Sequence, residues 1–229
     1  MRSALKLVTV LAVLVALAAC GNEKTGPGPV VSAIGAMAKG SVAKVKSRKS
    51  GEKVSGKAVS AAEQRAALEQ AGKPVLLVSS KTLGQTGFLT LFDTKADVLT
   101  WKTPDGVTFS QRGGVLIQTR GLGADLMSAQ APSVAQLMRA GDGYPRIYYF
   151  LGGDDQGTRR TYDCRTTVVG TESIEVLGRT HKATHITELC ERPLGKLTND
   201  YWVEGESIRK SRQWVSGAIG YIDFERVID

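Results

Sequence analysis

A chain of 229 residues is long for one small module and short for two full domains. Its formal charge of +8 is uneven: residues 39–57 hold Lys39, Lys44, Lys46, Arg48, Lys49, Lys53 and Lys57 against Glu52 alone, and beyond the first twenty residues the rest is neutral. A pI of about 9.5 thus describes one segment rather than a basic globular surface, which excludes a basic nucleic-acid-binding domain.

The first twenty residues have the pattern of an export signal. Arg2 and Lys6 precede Leu7–Ala19, a run that is apolar except at Thr9. Crossing a hydrocarbon core of roughly 30 Å takes about 20 helical residues, so the run is too short to span. No other stretch is as apolar, which excludes a multi-span protein. The run closes in Leu17-Ala18-Ala19-Cys20-Gly21, which resembles the lipobox of bacterial lipoproteins. There the cysteine thiol takes a diacylglycerol, the signal is cut before it, and the new amine is acylated, commonly with palmitate. Residues 1–19 are therefore predicted to be a lipoprotein signal peptide and Cys20 the lipidated residue. Several chains, at about 0.8 kcal/mol per buried CH₂, anchor firmly. Gly21, in place of the Asp that retains lipoproteins at the inner membrane, points to the outer membrane.

Residues 20–59 are predicted to form the lipidated cysteine and a basic flexible tether. Gly26-Pro27-Gly28-Pro29 opens a stretch of small residues, lysines and serines with too little apolar surface for a core. As a coil, Asn22–Val59 would span roughly 31–37 Å root-mean-square. Its lysines keep it solvated or meet anionic headgroups or an acidic glycan.

Residues 60–229 are predicted to be a single β-rich domain. Ser60-Ala-Ala-Glu63 is a capping box that starts a helix over Ala61–Ala71, and Gly72 with Pro74 ends it. From Pro74 the periodicity turns to two. Strands are expected at Val75–Val78, Gly87–Phe92, Val98–Lys102, Val107–Gln111 and Val115–Thr119, with Pro104-Asp105-Gly106 and Gly113-Gly114 as turns. Gly121–Gln130 is expected to break the strands, and Pro132–Arg139 to form a short helix. Seven more strands follow: Arg146–Leu151, Thr158–Val169, Ser173–Leu177, His181–Cys190, Leu197–Val203, Ile208–Val215 and Tyr221–Ile228. Asp154-Asp155-Gln156-Gly157 is a polar turn. Ile147–Leu151 is apolar on both faces, which places it centrally in a sheet. The fold class is mainly β: a large antiparallel meander curled into a sandwich or partial barrel, with one or two short helices. The strands lack a consistent lipid-facing apolar row, so a transmembrane barrel is not expected.

Setting Cys20 aside leaves Cys164 and Cys190. In an oxidising periplasm such a pair forms a disulfide, here between neighbouring strands or a strand and a turn. Closing a loop of that length corresponds to roughly 3.6 kcal/mol in the chain-entropy model. The competing metal site, Cys190 with His181 and His185, lacks a CxxC and a suitably spaced carboxylate.

No catalytic motif is present: no GxSxG, HExxH, P-loop or GxGxxG. Asp154, Asp155, Glu172, Glu188 and Asp200 are scattered carboxylates, and Gly121-Leu-Gly123 before Asp125 is a tight turn. Catalytic residues, metals and cofactors are not expected. Two features could bind rather than react. Trp101, Tyr201, Trp202 and Trp214 offer flat faces for sugar rings, although tryptophans of a β fold are mostly core. On Ile208–Trp214 the side chains of Lys210, Arg212 and Trp214 share a face that suits an acidic polysaccharide or a solvated edge. The glycan-contact candidates are Trp214, Arg212, Lys210 and Trp202.

Five segments in order carry a family resemblance: Thr119-Arg-Gly-Leu-Gly-Ala-Asp-Leu-Met-Ser-Ala129, Tyr162-Asp-Cys164, Ile174-Glu-Val-Leu-Gly178, Cys190-Glu-Arg-Pro193 and Thr198-Asn-Asp-Tyr-Trp202. Over roughly residues 74–229, and in its lipobox, the chain resembles the YjbF/GfcB family of outer-membrane lipoproteins of exopolysaccharide and group-four capsule production. The resemblance implies an antiparallel β fold and a non-enzymatic accessory role in secretion or assembly. Its implied partners are the outer membrane, the polysaccharide-export machinery and the polysaccharide, with the domain facing the periplasm. A glycan-modifying enzyme and a purely structural envelope lipoprotein are the alternatives. The lysine-rich tether is longer and more basic than the family pattern.

Overall fold

The computed structural model describes residues 59–141, 143–151 and 157–229. The signal segment, Cys20, the tether up to residue 58 and the polar turn at 154–156 lie outside them.

Helix α1, Ala61–Gln70, starts where its capping box predicts. The Glu63 amide donates to Ser60 Oγ at 3.2 Å, and the Ser60 amide donates to Glu63 Oε2 at 2.8 Å. Arg65 fastens this helix to the sheet. Its Nε donates to the carbonyl of Leu177, Nη1 to that of Val227 and Nη2 to that of Val176, at 3.0, 2.7 and 2.6 Å. Leu68 packs beside them against a small cluster of Val75, Val176 and Val227. Arg65→Met strips three carbonyls of their shared donor, and we expect a loss of about 1–3 kcal/mol in denaturant unfolding.

Among the described residues twelve strands follow, all antiparallel: β1 Val75–Ser80, β2 Gln85–Lys95, β3 Val98–Lys102, β4 Thr108–Arg112, β5 Val115–Arg120, β6 Leu126–Gln130, β7 Tyr144–Leu151, β8 Gly157–Val176, β9 Arg179–Arg192, β10 Gly195–Glu204, β11 Ser207–Ser216 and β12 Gly220–Ile228. They form one sheet in the order β5-β4-β3-β2-β1-β12-β11-β10-β9-β8-β7-β6. Two meanders are thus joined through the pairing of β1 with β12. The sheet curls until β5 and β6, its two ends, stand side by side, giving a nearly closed barrel. The mainly-β, antiparallel expectation holds.

Four local expectations are corrected. Gly121–Gln130 is not wholly a break, since β6 occupies Leu126–Gln130 and pairs with β7. The stretches Thr158–Val169 and Ser173–Leu177 are one strand. A bulge between Val168 and Gly170 absorbs the irregularity while β9 continues to supply partners. β7 is not central but second from the sheet's end, paired with β6 and β8. The second helix, α2, is shorter than expected: Val134–Leu137, capped by Ser133.

The barrel interior is packed with side chains. Trp101, Phe109, Leu89, Leu116, Leu126, Tyr148, Ile222 and Phe224 belong to one core cluster. α2 covers a second cluster through Leu137 and Val134, against Val115, Ile186, Tyr201, Val203 and Ile208. Between β5 and β6 there is no ladder. A turn through Gly121 and Gly123, both at positive φ, is gathered instead around one carboxylate. Asp125 accepts from the amides of Gly121 and Leu122 and from Thr119 Oγ1, and Thr119 Oγ1 accepts from the Leu126 amide. The glycine pair is thus a tight turn, as its sequence suggests.

The β8–β9 hairpin overhangs the barrel. β7 pairs with β8 no further than Cys164, and residues 167–173 of β8 are exposed. Its turn, Leu177-Gly178, has positive φ at both residues, and a Cβ on Gly178 would lie 2.9 Å from the Ala62 amide nitrogen. Glycine here serves both the turn and the close approach of α1.

Candidate functional site

Two polar assemblies stand out, one inside the barrel and one outside. Inward-facing positions of β7, β9 and β10 place Tyr144, Arg146, Glu188, Asn199 and Tyr201 together, with Arg146 and Glu188 fully buried. Arg146 Nη1 contacts Glu188 Oε2 at 2.6 Å. The carboxylate also accepts from Tyr144 Oη at 2.7 Å, Asn199 Nδ2 at 2.7 Å and Tyr201 Oη at 3.0 Å. Burial alone would raise the Glu188 carboxyl, but the Arg146 charge and these donors hold it below its usual range. Burial, then the Glu188 charge, pushes the Tyr144 phenol up; burial does the same to Tyr201. Arg146 Nε and Nη2 meet no acceptor among the described residues, and the guanidinium lies over the Tyr148 ring at 5.1 Å. Such a carboxylate, ionised and saturated with donors, is arranged to stay as it is rather than to exchange protons with a substrate.

Cys164 and Cys190 adjoin this network as directly opposed residues of β8 and β9, and they are joined as a disulfide. Their sulfurs lie within 4.8 Å of a Glu188 oxygen, but sulfurs bonded to each other are not thiolate ligands. The metal alternative loses its cysteine to the bridge. Its histidines face other partners, His181 meeting Glu204 and His185 meeting Asp200.

The outer assembly is a strip across β8–β12. Directly opposed residues share a face, and the register aligns His185, Trp202, Lys210 and Glu225 in one row and Thr187, Asp200, Arg212 and Asp223 in the next. Their neighbours along the strands, Ile186, Glu188, Asn199, Tyr201, Ser211 and Gln213, are buried, so these two rows face outward. His185 and Trp202 stack with ring centroids 4.5 Å apart at 12°. His185 Nε2 lies 3.1 Å from Asp200 Oδ1 and Nδ1 lies 3.5 Å from Glu172 Oε1. Trp202 Nε1 donates to the same Glu172 oxygen, and Thr187 Oγ1 donates to Asp200 Oδ1. Lys210 pairs with Glu225 at 2.8 Å, and Arg212 lies over the Tyr221 ring at 4.9 Å.

Three of the four glycan-contact candidates, Trp202, Lys210 and Arg212, therefore lie together on this strip. Trp214 does not join them. Its ring packs edge-on against Tyr148 and Phe150 at 5.3 and 5.8 Å, and its amide donates to Asn199 Oδ1. Trp101 and Tyr201 are core. Among the described residues no helix is long and apolar enough to cross a membrane.

The family model described as "Group 4 capsule polysaccharide lipoprotein gfcB, YjbF" matches residues 53–227. No curated protein matches the chain in sequence. Among solved structures the chain is similar to the hypothetical lipoprotein YmcC from Escherichia coli K12, with a TM-score of 0.61 at 16% identity, covering 79% of this chain and 98% of that one. At that identity the likeness shows a shared fold.

Proposed function

Because the chain belongs to the YjbF family of group 4 capsule polysaccharide lipoproteins, we propose that it is a periplasm-facing, outer-membrane lipoprotein serving as a non-enzymatic accessory factor in exopolysaccharide or capsule secretion or assembly. The family match across residues 53–227 is the observation that carries this reading. The Leu17-Ala18-Ala19-Cys20 segment supports a lipid anchor at Cys20, and Gly21 supports the outer membrane. In support of a non-enzymatic role, Glu188 is sealed from solvent by Arg146 and its phenol and amide donors. A binding role, toward the export machinery or the glycan, accords with the polar outer strip.

Two measurements test the reading. Deleting the gene in a strain that makes capsule or exopolysaccharide should reduce surface polysaccharide, and an unchanged amount refutes the role. Wild type should incorporate labelled palmitate while Cys20→Ala should not; equal labelling refutes the anchor.

A further inference from the structure

We propose that the outer strip of β8–β12 binds an extended, uncharged, hydroxyl-rich glycan. This proposal rests on the accessory-factor reading and names its ligand class. Adjacent strands are spaced about 4.8 Å apart, close to the advance of one pyranose in an extended chain. Successive strands therefore present successive sugar-sized intervals: Glu172 on β8, His185 and Thr187 on β9, Trp202 and Asp200 on β10, then Lys210 and Arg212 on β11.

Each interval carries groups suited to hydroxyls. Both bonds that Asp200 accepts, from His185 and Thr187, fall on Oδ1, so Oδ2 can accept from a sugar hydroxyl. The bond to Glu172 from Trp202 falls on Oε1 and leaves Oε2 in the same position; the Glu172 side chain is 51% exposed. The stack on His185 and the bond from its indole N–H hold Trp202 in one orientation. One face of the indole is covered by His185, so the rest of its carbon surface is what can meet the C–H groups of a sugar ring.

Charge decides the class of glycan. Glu172, Asp200, Asp223 and Glu225 outnumber Lys210 and Arg212, and Lys210 is already paired with Glu225. Carboxylates in excess over cations accept hydroxyl hydrogens and repel a polyanion. The strip thus selects against the acidic polysaccharide that the basic sequence Arg209-Lys210-Ser211-Arg212 suggests.

The test uses the full-length lipoprotein in neutral detergent micelles, titrated calorimetrically with maltohexaose, cellohexaose, laminarihexaose and hexagalacturonate. We expect at least one neutral hexasaccharide to bind with little dependence on salt, and hexagalacturonate to bind more weakly or not at all. Trp202→Ala and the near-isosteric Asp200→Asn should each weaken the neutral ligand about tenfold, or ~1.4 kcal/mol. Asp200→Asn should unfold as wild type does, which keeps the test decisive if Trp202→Ala is poorly folded. Tighter binding of hexagalacturonate, no binding of any neutral hexasaccharide, or undiminished binding by Asp200→Asn overturns the proposal. Complementation separates it from the accessory role. If the deletion strain loses surface polysaccharide and Asp200→Asn restores it fully, the role stands and the strip does not carry it. If the deletion changes nothing, the accessory role itself fails.

Discussion

Glu188→Gln should lower the unfolding free energy by about 3–5 kcal/mol, among the largest losses expected from any single polar substitution in this barrel. The side chain keeps its size, so no cavity forms. What changes is that the Arg146 guanidinium, fully buried and 2.6 Å away, is left without a counter-charge. Tyr144, Tyr201 and Asn199 also lose an ionised acceptor. Removing both charges as Arg146→Met with Glu188→Leu should cost less than Glu188→Gln, because the penalty lies mainly in the unpaired ion. Equilibrium denaturation of the three variants measures this, and a double variant worse than the single would refute it. The same network sets the pH range of stability. The Glu188 carboxyl sits below its ordinary 4.5 in the fold, so its contribution is complete above 4.5 and is lost as pH falls through the lower folded value. The Tyr144 and Tyr201 phenols sit above their ordinary 10.0, so their contribution is complete below 10.0 and is lost as pH rises through the higher folded values. Stability should therefore hold between these limits and fall on both sides, and Glu188→Gln should flatten the acid limb.

The second large loss is expected on removing the disulfide. Cys164→Ala with Cys190→Ala should destabilise the domain by about 2–5 kcal/mol. The bridge closes a separation of 26 residues that contains the whole overhanging hairpin, and both cysteines belong to the main core cluster. Reductant should lower the melting temperature of wild type and leave the double variant unmoved. Equal sensitivity of the two proteins would show that the bridge adds nothing.

Much of this was legible in the chain because the patterns are local. Alternation with glycine-rich turns located most strands, and Ser60 with Glu63 located the start of α1. The cysteines paired once Cys20 was set aside. The misses have a common physical cause in long-range partners. β6 is polar and short, and Leu126–Gln130 becomes a strand because β7 lies beside it. Gly170 should interrupt β8, yet β9 carries the ladder past it. The Arg146–Glu188 pair left a trace: one cation in the apolar run Tyr144–Leu151 and one carboxylate between Ile186 and Cys190. Only the register across β7–β10 shows that they meet. Likewise Glu172 and Asp200 are scattered carboxylates in the sequence and His185 part of an unfavoured metal site, and only the strand register lays them beside Trp202. Trp214 looked like a platform beside Lys210 and Arg212, but the aromatic cluster of Tyr148, Phe150 and Tyr162 claims it.

The Thr119–Asp125 turn has a mechanical consequence. A fully laddered barrel has no preferred line of opening, since spreading any two strands breaks a run of backbone bonds. Here the wall is continuous from β5 round to β6, and the last gap is spanned by the chain itself and by the bonds of Thr119 and Asp125. Parting β5 from β6 breaks those bonds, the contact of Arg120 with Met127 and the packing of α2 on Val115, but leaves every ladder whole. The barrel therefore has a seam, and the shallow mouth of about 220 Å³ between Asp125, Phe150, Arg160 and Gly217 lies at one end of it. This seam is the one strand boundary of the described sheet with no ladder to lose, whereas the disulfide and the buried ion pair tie together the strands around Glu188.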